Sequence, residues 1–512
     1  MSTNHKRIDY VVRNLIFNIV YNIIAIIMPF VLRTVTIRYL GSEYLGLNSL
    51  CVSVLSVLSV AELGMTSAFV YRLYKPLATR DEKKICKLLS YYRKVYHMIG
   101  VIILIGGGLI LPFLKDFISG DTPVGINIYI VYILYLLNTV VSYLFGAYQE
   151  ILLIAQERYD YIYFFTLVSS TILYIGQIIL VIFKYYYLSV VMLPVAMLIR
   201  RGMCYYVIKT RYSIYLHRES IEPRVRNEIK KEVMAVAVYK IRDVSMNSFD
   251  SVVVSTFVGL VALADYQNYF TVFQVPELIL GQISTVIAPS LGNFAASEGI
   301  EDTFKVYQKN TFFHMFLSGW FAICYGYLIQ DFIAIWLGRD YLMSVKAVIL
   351  FSINIYLYGE RLLTKMIREN VGLFQYGKVW AIVEIFLNLL LNIILVYFTG
   401  AEGVILATVL VVLFIMIPVE DYIVYKYYFK GKWKQRLQMA IGNFIWVGLS
   451  AFTVFIMGQL NLCTGLIYTF IYKILICALL PPFILILMFH KTEELQFFIG
   501  ILKGIIRKII CK

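Results

Sequence analysis

The stretch HMIGVIILIGGGLILPFLKDFI, residues 97–118, begins with a His-Met pair, continues through apolar residues and ends in Asp-Phe-Ile. A second stretch of the same design, HMFLSGWFAICYGYLIQDFI, occupies residues 314–333. Each is long enough to cross the roughly 30 Å hydrocarbon core of a bilayer as a helix. The chain therefore contains two related membrane segments, and the sequence around them decides the fold.

The similarity of the two copies extends upstream. A proline lies near the end of the preceding apolar run, at Pro76 and Pro289, and an acidic-basic loop follows it, at residues 81–84 and 298–305. Short shared words arise often by chance, but here their order and offset agree. Many transporters consist of two repeated helix bundles with the substrate between them, so the repeat predicts such a transporter.

Apolar residues dominate the whole chain. Of its 512 residues, 60% are hydrophobic and only 15% are charged, which is far from the composition of a soluble domain. No small-residue cleavage site follows the first apolar run, so no cleavable signal peptide is expected. The seven cysteines show no metal-binding spacing and are expected to pack as small apolar side chains. These features predict an all-α polytopic membrane protein.

About 14 apolar runs have the length of transmembrane helices. The repeat covers the first twelve and divides them into two pseudo-symmetric lobes of six, with two C-terminal helices outside it. The predicted segments are an N-terminal lobe (1–210), a basic cytoplasmic linker (211–232), a C-terminal lobe (233–425), helices 13 and 14 (426–489) and a cytoplasmic tail (490–512). The predicted spans are 12–37, 46–71, 94–114, 126–148, 161–183, 187–208, 233–258, 264–288, 311–330, 346–368, 379–398, 402–424, 438–459 and 466–489.

The 46 lysine and arginine residues, which give a net charge of +15, are concentrated in alternate loops. The loops after even-numbered spans are rich in them, at residues 72–94, 209–231 and 426–436. This is the positive-inside pattern of a membrane protein, so nucleic acid is not an expected partner and both termini are predicted to be cytoplasmic. Residues 493–512 predict an amphipathic helix on the inner surface, with a frayed, solvated tail as the alternative.

The loops are too short for several classes of membrane enzyme. No predicted outer loop exceeds about 16 residues, whereas glycan polymerases and ligases usually work in a large outer loop. The inner loops are too short for a nucleotide-binding domain, and the chain lacks a GxxxxGK[ST] motif. The histidines are scattered, and His97 and His314 are expected to be solvated at equivalent helix ends. A scaffold or a glycosyl-transfer enzyme is therefore the least favoured alternative.

Polar side chains inside the spans mark the predicted substrate path, because such groups usually face the bundle interior or a water-filled cavity. Cations attract phosphate, and amides and hydroxyls suit sugars. Spans 1, 7, 8 and 10 each align such residues on one helical face. The candidates for substrate binding are Arg33, Asn18, Asn22, Lys240, Asn247, Arg361, Lys365 and Gln274.

Carboxylates inside the spans are the candidates for coupling transport to protons or sodium. They are Glu62, Asp243, Asp250 and Glu277. Structural roles stay open for the same groups: Lys240 and Asp243 can neutralise each other at i and i+3, and Glu62 can brace the bundle. Lys365 and Arg368 can extend to the interface. Serine-rich faces, such as that of span 2, commonly pack helices together.

Three stretches of this sequence resemble the polysaccharide transporters of the MATE-like flippase superfamily, and most of all its Wzx-type flippases of lipid-linked oligosaccharides. They are RYLGSEYLGLNSL (38–50), LSVAELGMTSAFVYRLYKPLA (58–78) and FIAIWLGRDYL (332–342). The resemblance spans nearly the whole chain. It implies a V of two lobes around a cationic cavity and a location in the bacterial cytoplasmic membrane.

The resemblance also implies a substrate and a mechanism. The substrate is an oligosaccharide on undecaprenyl pyrophosphate, destined for a surface polysaccharide such as O-antigen, capsule or exopolysaccharide. The protein breaks no bond: by alternating access, the sugar crosses inside the cavity while the lipid tail stays among membrane lipids. No cofactor or metal is implied, and a polysaccharide polymerase and glycosyltransferases are the implied pathway partners. The alternative on the same fold is a MATE-type cation-coupled antiporter of small molecules, which needs an acidic, aromatic cavity.

Overall fold

The computed structural model describes residues 2–59, 65–120, 122–217, 219–460 and 465–510. Every regular element within these residues is helical, and no strand occurs among them. The contacts divide the chain into two compact units, Met1–Ala264 and Asp265–Lys512. The predicted all-α class is confirmed.

The first unit contains nine helices among the described residues, together with the first turn of a tenth. Two 3₁₀ segments, Leu111–Phe117 and Ser213–Leu216, follow the fourth and eighth helices. The helices are α1 (Ser2–Tyr39), α2 (Ser42–Leu58), α3 (Met65–Thr79), α4 (Glu82–Ile110), α5 (Ile128–Leu144), α6 (Ala147–Ala155), α7 (Tyr159–Ile182), α8 (Tyr186–Arg211) and α9 (Pro223–Phe257).

The second unit contains the remaining helices of the described chain. A π-helical segment, Val412–Met416, joins α14 to α15, so that the two form one continuous span. The helices are α10 (Leu260–Ser297), α11 (Ile300–Trp336), α12 (Val345–Asn370), α13 (Lys378–Thr399), α14 (Ala401–Val411), α15 (Ile417–Tyr427), α16 (Trp433–Gln459), α17 (Leu466–Phe489) and α18 (Glu493–Ile510).

Ten spans in the described part of the chain are long and apolar enough to cross a membrane. An eleventh forms if α5 and α6, which meet at a 48° bend, count as one. These eleven coincide with predicted spans, so the protein is a multi-pass membrane protein. They lie on α1, α4, α5–α6, α7, α8, α10, α11, α13, α14–α15, α16 and α17.

The three other predicted spans are helical but do not meet the same standard. The span predicted at 46–71 falls on α2 and α3, and residues 60–64 between them lie outside the described chain. The spans predicted at 233–258 and 346–368 fall on α9 and α12, where charged side chains interrupt the apolar sequence. The count of 14 transmembrane helices is therefore not confirmed and stays a prediction.

The boundary between the compact units falls after α9, which packs against α2 within the first unit. The sequence instead predicts that the C-terminal lobe begins with this helix, at residue 233. Contact density measures packing and does not measure pseudo-symmetry. The two predicted six-helix lobes accordingly stay a prediction.

Small residues allow close packing where α2 meets the first residue of α10 and where α9 ends. The Cα of Gly46 on α2 faces the backbone carbonyl of Leu260 so closely that a Cβ has no room. At the end of α9, the Ser255 hydroxyl donates to the carbonyl of Phe117 at 2.7 Å. The backbone N–H of Ser119 donates to the carbonyl of Ser255 at 3.0 Å. Close packing of small and hydroxyl side chains is a common way to join membrane helices.

Apolar clusters join the helices of the second unit. One is centred on Leu291, Tyr307 and Phe429, and it connects α10, α11 and the segment after α15. Another contains Trp446, Leu485 and Leu495, so that it connects α16, α17 and α18. The C-terminal segment is thus helical and docked, as the ring of Phe498 stacks on that of Phe313 with centroids 4.4 Å apart.

The repeated stretches begin inside the long helices α4 and α11, as their sequences predict. The expectation that both histidines are solvated is wrong for His314. This imidazole is buried, lies 2.9 Å from the Ser284 hydroxyl and lies 3.0 Å from the Asn310 carbonyl. The reason is that α11 starts well before residue 314, so His314 lies in its interior and packs against α10.

Candidate functional site

Three predicted substrate-binding residues lie on α1, in the first unit. Arg33 and Asn22 are half-buried within the span Val20–Tyr39. Arg33 follows Pro29 by one turn, and α1 continues through that proline. The side chain of Asn18 lies outside the described residues. The structure thus places one guanidinium and one amide, both half-buried, on a helical span that is long and apolar enough to cross a membrane.

The α9 helix carries a buried ion pair. Arg242 is almost fully buried, and its Nη2 lies 2.8 Å from Oδ1 of Asp243. The guanidinium also lies 5.6 Å from the ring centroid of Tyr239. The side chain of Lys240 lies outside the described residues, so its predicted pairing with Asp243 stays a prediction. Sequence periodicity missed Arg242 because it falls off the face of the predicted stripe.

The remaining candidates on α9 occupy different environments. Asp250 is buried and Asn247 is exposed. Ser245, Ser248 and Ser251 are buried on the same helix. Much of the polar surface of α9 is therefore enclosed by the first unit. Glu62, the third coupling candidate from this half of the sequence, lies outside the described residues.

In the second unit, the candidates lie on α10 and α12. Gln274 is exposed and Glu277 is half-buried on α10. Arg361 and Lys365 are half-buried on α12, one helical turn apart. The Nη1 of Arg361 lies 3.3 Å from the sulfur of Met416, at the end of the π segment. Arg361 and Lys365 therefore belong to a cationic ladder, defined as the row of cations along α12 that continues to Arg368.

The third cation of that ladder has a different role. Extension of Arg368 to the membrane interface was the alternative left open by the sequence, but Arg368 and Glu420 are each 1% exposed. Their nearest charged atoms are 3.9 Å apart, and Glu369 lies 3.8 Å from the same guanidinium nitrogen. The interfacial alternative is wrong because α15 brings a carboxylate over the end of α12.

A second buried cation lies beside this pair. The Nε of Arg436 on α16 donates to Asp421 at 2.9 Å, and its Nη1 donates to Glu360 at 3.1 Å. The Thr364 hydroxyl also donates to Asp421, at 3.1 Å, and lies 2.9 Å from the hydroxyl of Tyr307. This charge network, defined as Glu360, Arg368, Glu420, Asp421 and Arg436, connects α12, α15 and α16.

Sequence analysis missed most of the charge network. Arg436 was counted among the solvated residues of the basic segment 426–436, and the adjacent acids Glu420 and Asp421 were not singled out. One signal was present: two consecutive carboxylates within the predicted span 402–424 are costly in hydrocarbon unless they are paired.

A further polar contact joins α13 to α14. The Asn388 amide donates to the Thr408 hydroxyl at 3.1 Å, and the Asn392 amide donates to Asn388 at 3.3 Å. Glu384 is buried on the same face of α13. The side chains of Asn388 and Asn392 on α13 therefore face the neighbouring helix.

Ion pairs also connect helices near the basic ends of the first unit. Glu150 lies 2.9 Å from both Arg200 and Arg201, which links α6 to α8. In the turn before α7, Arg158 donates two hydrogen bonds to Asp160, each 2.9 Å long. Those bonds raise the pKa of Arg158, so its charge is secure at any physiological pH.

The charged groups therefore fall into two sets. Arg242, Arg368 and Arg436 are buried against carboxylates, and their environment fits a role in holding helices together. Arg33, Arg361 and Lys365 are half-buried inside or beside spans, where a guanidinium or ammonium group can bind phosphate oxygens. The second set contains the better candidates for contact with an anionic substrate.

Comparison with known proteins gives a family and a fold. The family model described as "Polysaccharide biosynthesis protein" matches residues 11–295 of this chain. No curated protein sequence matches this chain.

Several solved structures are similar over most of the chain. The lipid II flippase MurJ in an inward closed conformation aligns with a TM-score of 0.70 and 16% identity, covering 93% of this chain and 99% of that one. An inward-facing multidrug resistance MATE transporter of the MOP superfamily aligns with a TM-score of 0.64 and 12% identity, covering 77% and 93%. A MOP superfamily transporter from Pyrococcus furiosus aligns with a TM-score of 0.57 and 13% identity, covering 81% and 93%. The chain therefore shares their fold.

Proposed function

Because this chain belongs to the polysaccharide biosynthesis protein family, we propose that it is a flippase for a lipid-linked oligosaccharide. The substrate is an oligosaccharide repeat unit on undecaprenyl pyrophosphate, which crosses the cytoplasmic membrane during synthesis of a surface polysaccharide. The family match over residues 11–295 carries the proposal. The fold shared with transporters of lipid II and of drugs is compatible with it.

The chemistry of the substrate explains why cations belong in the spans. A prenyl tail is soluble in the bilayer, whereas a pyrophosphate and its sugars are not, so only the polar part needs a protein path. Arg33, Arg361 and Lys365 supply positive charge for the pyrophosphate, and Lys240 is the corresponding candidate on α9. The amides of Asn18, Asn22, Asn247 and Gln274 are proposed to bind sugar hydroxyls.

Net transport needs a source of free energy in addition to a path. Carboxylates in the spans can bind a proton or sodium ion, so Asp243, Asp250, Glu277 and Glu62 are proposed as coupling groups. Asp243 is the weakest of the four, because it already forms a short ion pair with Arg242. Alternating access of the substrate path to the two membrane faces completes the mechanism.

The first experiment tests the function in cells. Deleting the gene is expected to abolish the surface polysaccharide, and the wild-type gene is expected to restore it. Arg33→Gln is expected to restore at least tenfold less polysaccharide at equal protein abundance, since a charge-assisted hydrogen bond of about 1.5–3 kcal/mol is lost. The matched control is Arg38→Gln, which removes an exposed arginine from the last turn of the same helix.

The second experiment separates a flippase from the alternative antiporter. In proteoliposomes loaded with the lipid-linked oligosaccharide, the protein is expected to make the inner-leaflet sugar accessible to a glycosidase added outside. Normal polysaccharide in the deletion strain, together with drug resistance on overexpression, would establish the antiporter instead. Equal activity of Arg33→Gln and Arg38→Gln would remove Arg33 from the site without affecting the assignment as a flippase.

A further inference from the structure

An aromatic groove lies between α13 and α15 in the second unit, at the end where both helices are flanked by lysines. Its volume is about 350 Å³, within the range of small-molecule sites, which is roughly 300–1,000 Å³. None of its lining residues is a candidate of the proposed substrate path. Its lining residues are Tyr376, Trp380, Pro418, Val419, Tyr422, Ile423 and Tyr427.

Aromatic rings form the wall of this groove. Tyr376 and Tyr427 stack with centroids 4.2 Å apart and an interplanar angle of 25°. This contact joins the segment before α13 to the end of α15. Trp380 and Tyr422 also line the groove, yet they are 47% and 49% exposed. Large rings therefore present their faces to whatever occupies the space between them.

One lysine is held at the edge of this wall. The Nζ of Lys426 lies 4.8 Å from the ring centroid of Tyr422 and 5.5 Å from that of Tyr427. The same ammonium donates a hydrogen bond to the Tyr422 hydroxyl. An ammonium group has three N–H donors, so the remaining two are available to an anion. The rings position this charge instead of leaving it to move freely.

The rest of the groove is apolar. Pro418, Val419 and Ile423 form its aliphatic part. On α13, Val379 and Phe386 are 71% and 68% exposed, as expected of side chains that contact lipid. A ligand that fits must therefore combine an apolar chain with an anionic head.

We propose that this groove binds an anionic phospholipid of the surrounding bilayer. One acyl chain lies along Val419, Ile423 and Trp380, and the phosphate accepts hydrogen bonds from Lys426. Basic pockets between membrane helices at the cytoplasmic face recognise anionic headgroups in this way. Tyrosines and tryptophans also form a general belt at membrane interfaces without binding a particular ligand. The experiment must therefore distinguish a specific lipid site from such a belt.

The test measures lipid binding to the purified full-length protein by native mass spectrometry, with phosphatidylglycerol and phosphatidylcholine of identical acyl chains as probes. Phosphatidylglycerol is expected to bind with the higher affinity. Lys426→Gln is expected to weaken it about fivefold, since one lysine near an anionic headgroup contributes about 1 kcal/mol. Lys426→Arg keeps the charge and is expected to retain most of the affinity.

Two matched controls separate a site from general attraction. Lys430→Gln removes an equal charge from the segment that follows α15, outside the groove. This variant is expected to bind both lipids as the wild type does. Trp380→Ala is expected to weaken both lipids, whereas Phe386→Ala, on the exposed surface of the same helix, is not. Equal binding of the two lipids by the wild type would overturn the proposal. An equal loss of phosphatidylglycerol affinity in Lys426→Gln and Lys430→Gln would also overturn it. Preferential binding of a prenyl-phosphate lipid would overturn it as well.

Discussion

Arg436 on α16 and Asp421 on α15 form a buried ion pair, with the guanidinium Nε 2.9 Å from the carboxylate oxygen. The same guanidinium lies 3.1 Å from Glu360 on α12. One cation therefore pairs with two carboxylates that belong to two different helices. It also attaches the first of the two helices that lie beyond the sequence repeat to the helices within it.

Removing the cation of this cluster is expected to destabilise the protein strongly. Arg436→Met leaves Asp421 and Glu360 buried without their shared partner, which is expected to lower the free energy of unfolding by about 3–5 kcal/mol. Chemical unfolding in detergent, monitored by circular dichroism, measures this loss in the free energy of unfolding. Lys432→Met is the control, because its partner Glu301 is largely exposed and such pairs contribute about 0–1 kcal/mol. Equal losses for the two variants would show that Arg436 is not a structural cation.

A second ion pair connects the last membrane helix to α11. The Nζ of Lys473 on α17 lies 2.6 Å from a carboxylate oxygen of Asp331, and both side chains are largely buried. A double-mutant cycle with Asp331→Asn and Lys473→Gln is expected to give a coupling energy of about 0.5–3 kcal/mol. The exposed pair Asp302–Lys305 on α11 is expected to give nearly none. A coupling energy near zero for the first pair would contradict this role.

The close approach at Gly46 predicts a steric effect of a single methyl group. Gly46→Ala is expected to lower the free energy of unfolding by about 1–3 kcal/mol, because the new Cβ collides with the backbone of Leu260. Gly108→Ala on α4 meets no neighbouring atom and is expected to raise stability by about 0.5–1 kcal/mol. Thermal unfolding in detergent distinguishes the two. A neutral Gly46→Ala would mean that α2 and α10 separate easily.

Leu495 contributes a buried apolar contact to the docking of α18, in addition to the stacked rings of Phe498 and Phe313. Leu495 packs with Trp446 and Leu485, so Leu495→Ala is expected to cost about 2–5 kcal/mol of local stability. Faster hydrogen exchange in α18, with little change in α16, is the expected observation. Gln496→Ala alters an exposed neighbour and is expected to leave exchange unchanged. Fast exchange of α18 in the wild type would support the frayed alternative.

Long apolar runs predicted the membrane helices well, because hydrocarbon solvation acts on about 20 consecutive residues and leaves a local signal. The same rule was less informative for α9 and α12, whose charges depend on partners distant in sequence. Arg33, Asn22, Arg361 and Lys365 were predicted at membrane depth, and the structure places them half-buried in their helices.

Pairing between distant helices could not be predicted in the same way. An arginine near a helix end is usually solvated, so extension to the interface was an open alternative for Arg368, and Arg436 was counted only as part of the basic segment 426–436. Only the tertiary fold brings Glu420 and Asp421 against them. For the same reason, His314 looked like a helix end because the preceding segment 298–305 is charged, although α11 already begins at Ile300 within that segment.

The π segment Val412–Met416 has a consequence for how one span serves two neighbours. A π turn accommodates one extra residue, which shifts the phase of everything after it by about 100° relative to a regular α-helix. Thr408 before the segment meets Asn388 on α13, whereas Asp421 after it meets Arg436 on α16. The extra residue thus sets the direction in which side chains of α15 point relative to those of α14. Deleting one residue from the π segment would rotate α15 relative to α14, so that the Thr408–Asn388 and Asp421–Arg436 contacts could not both form.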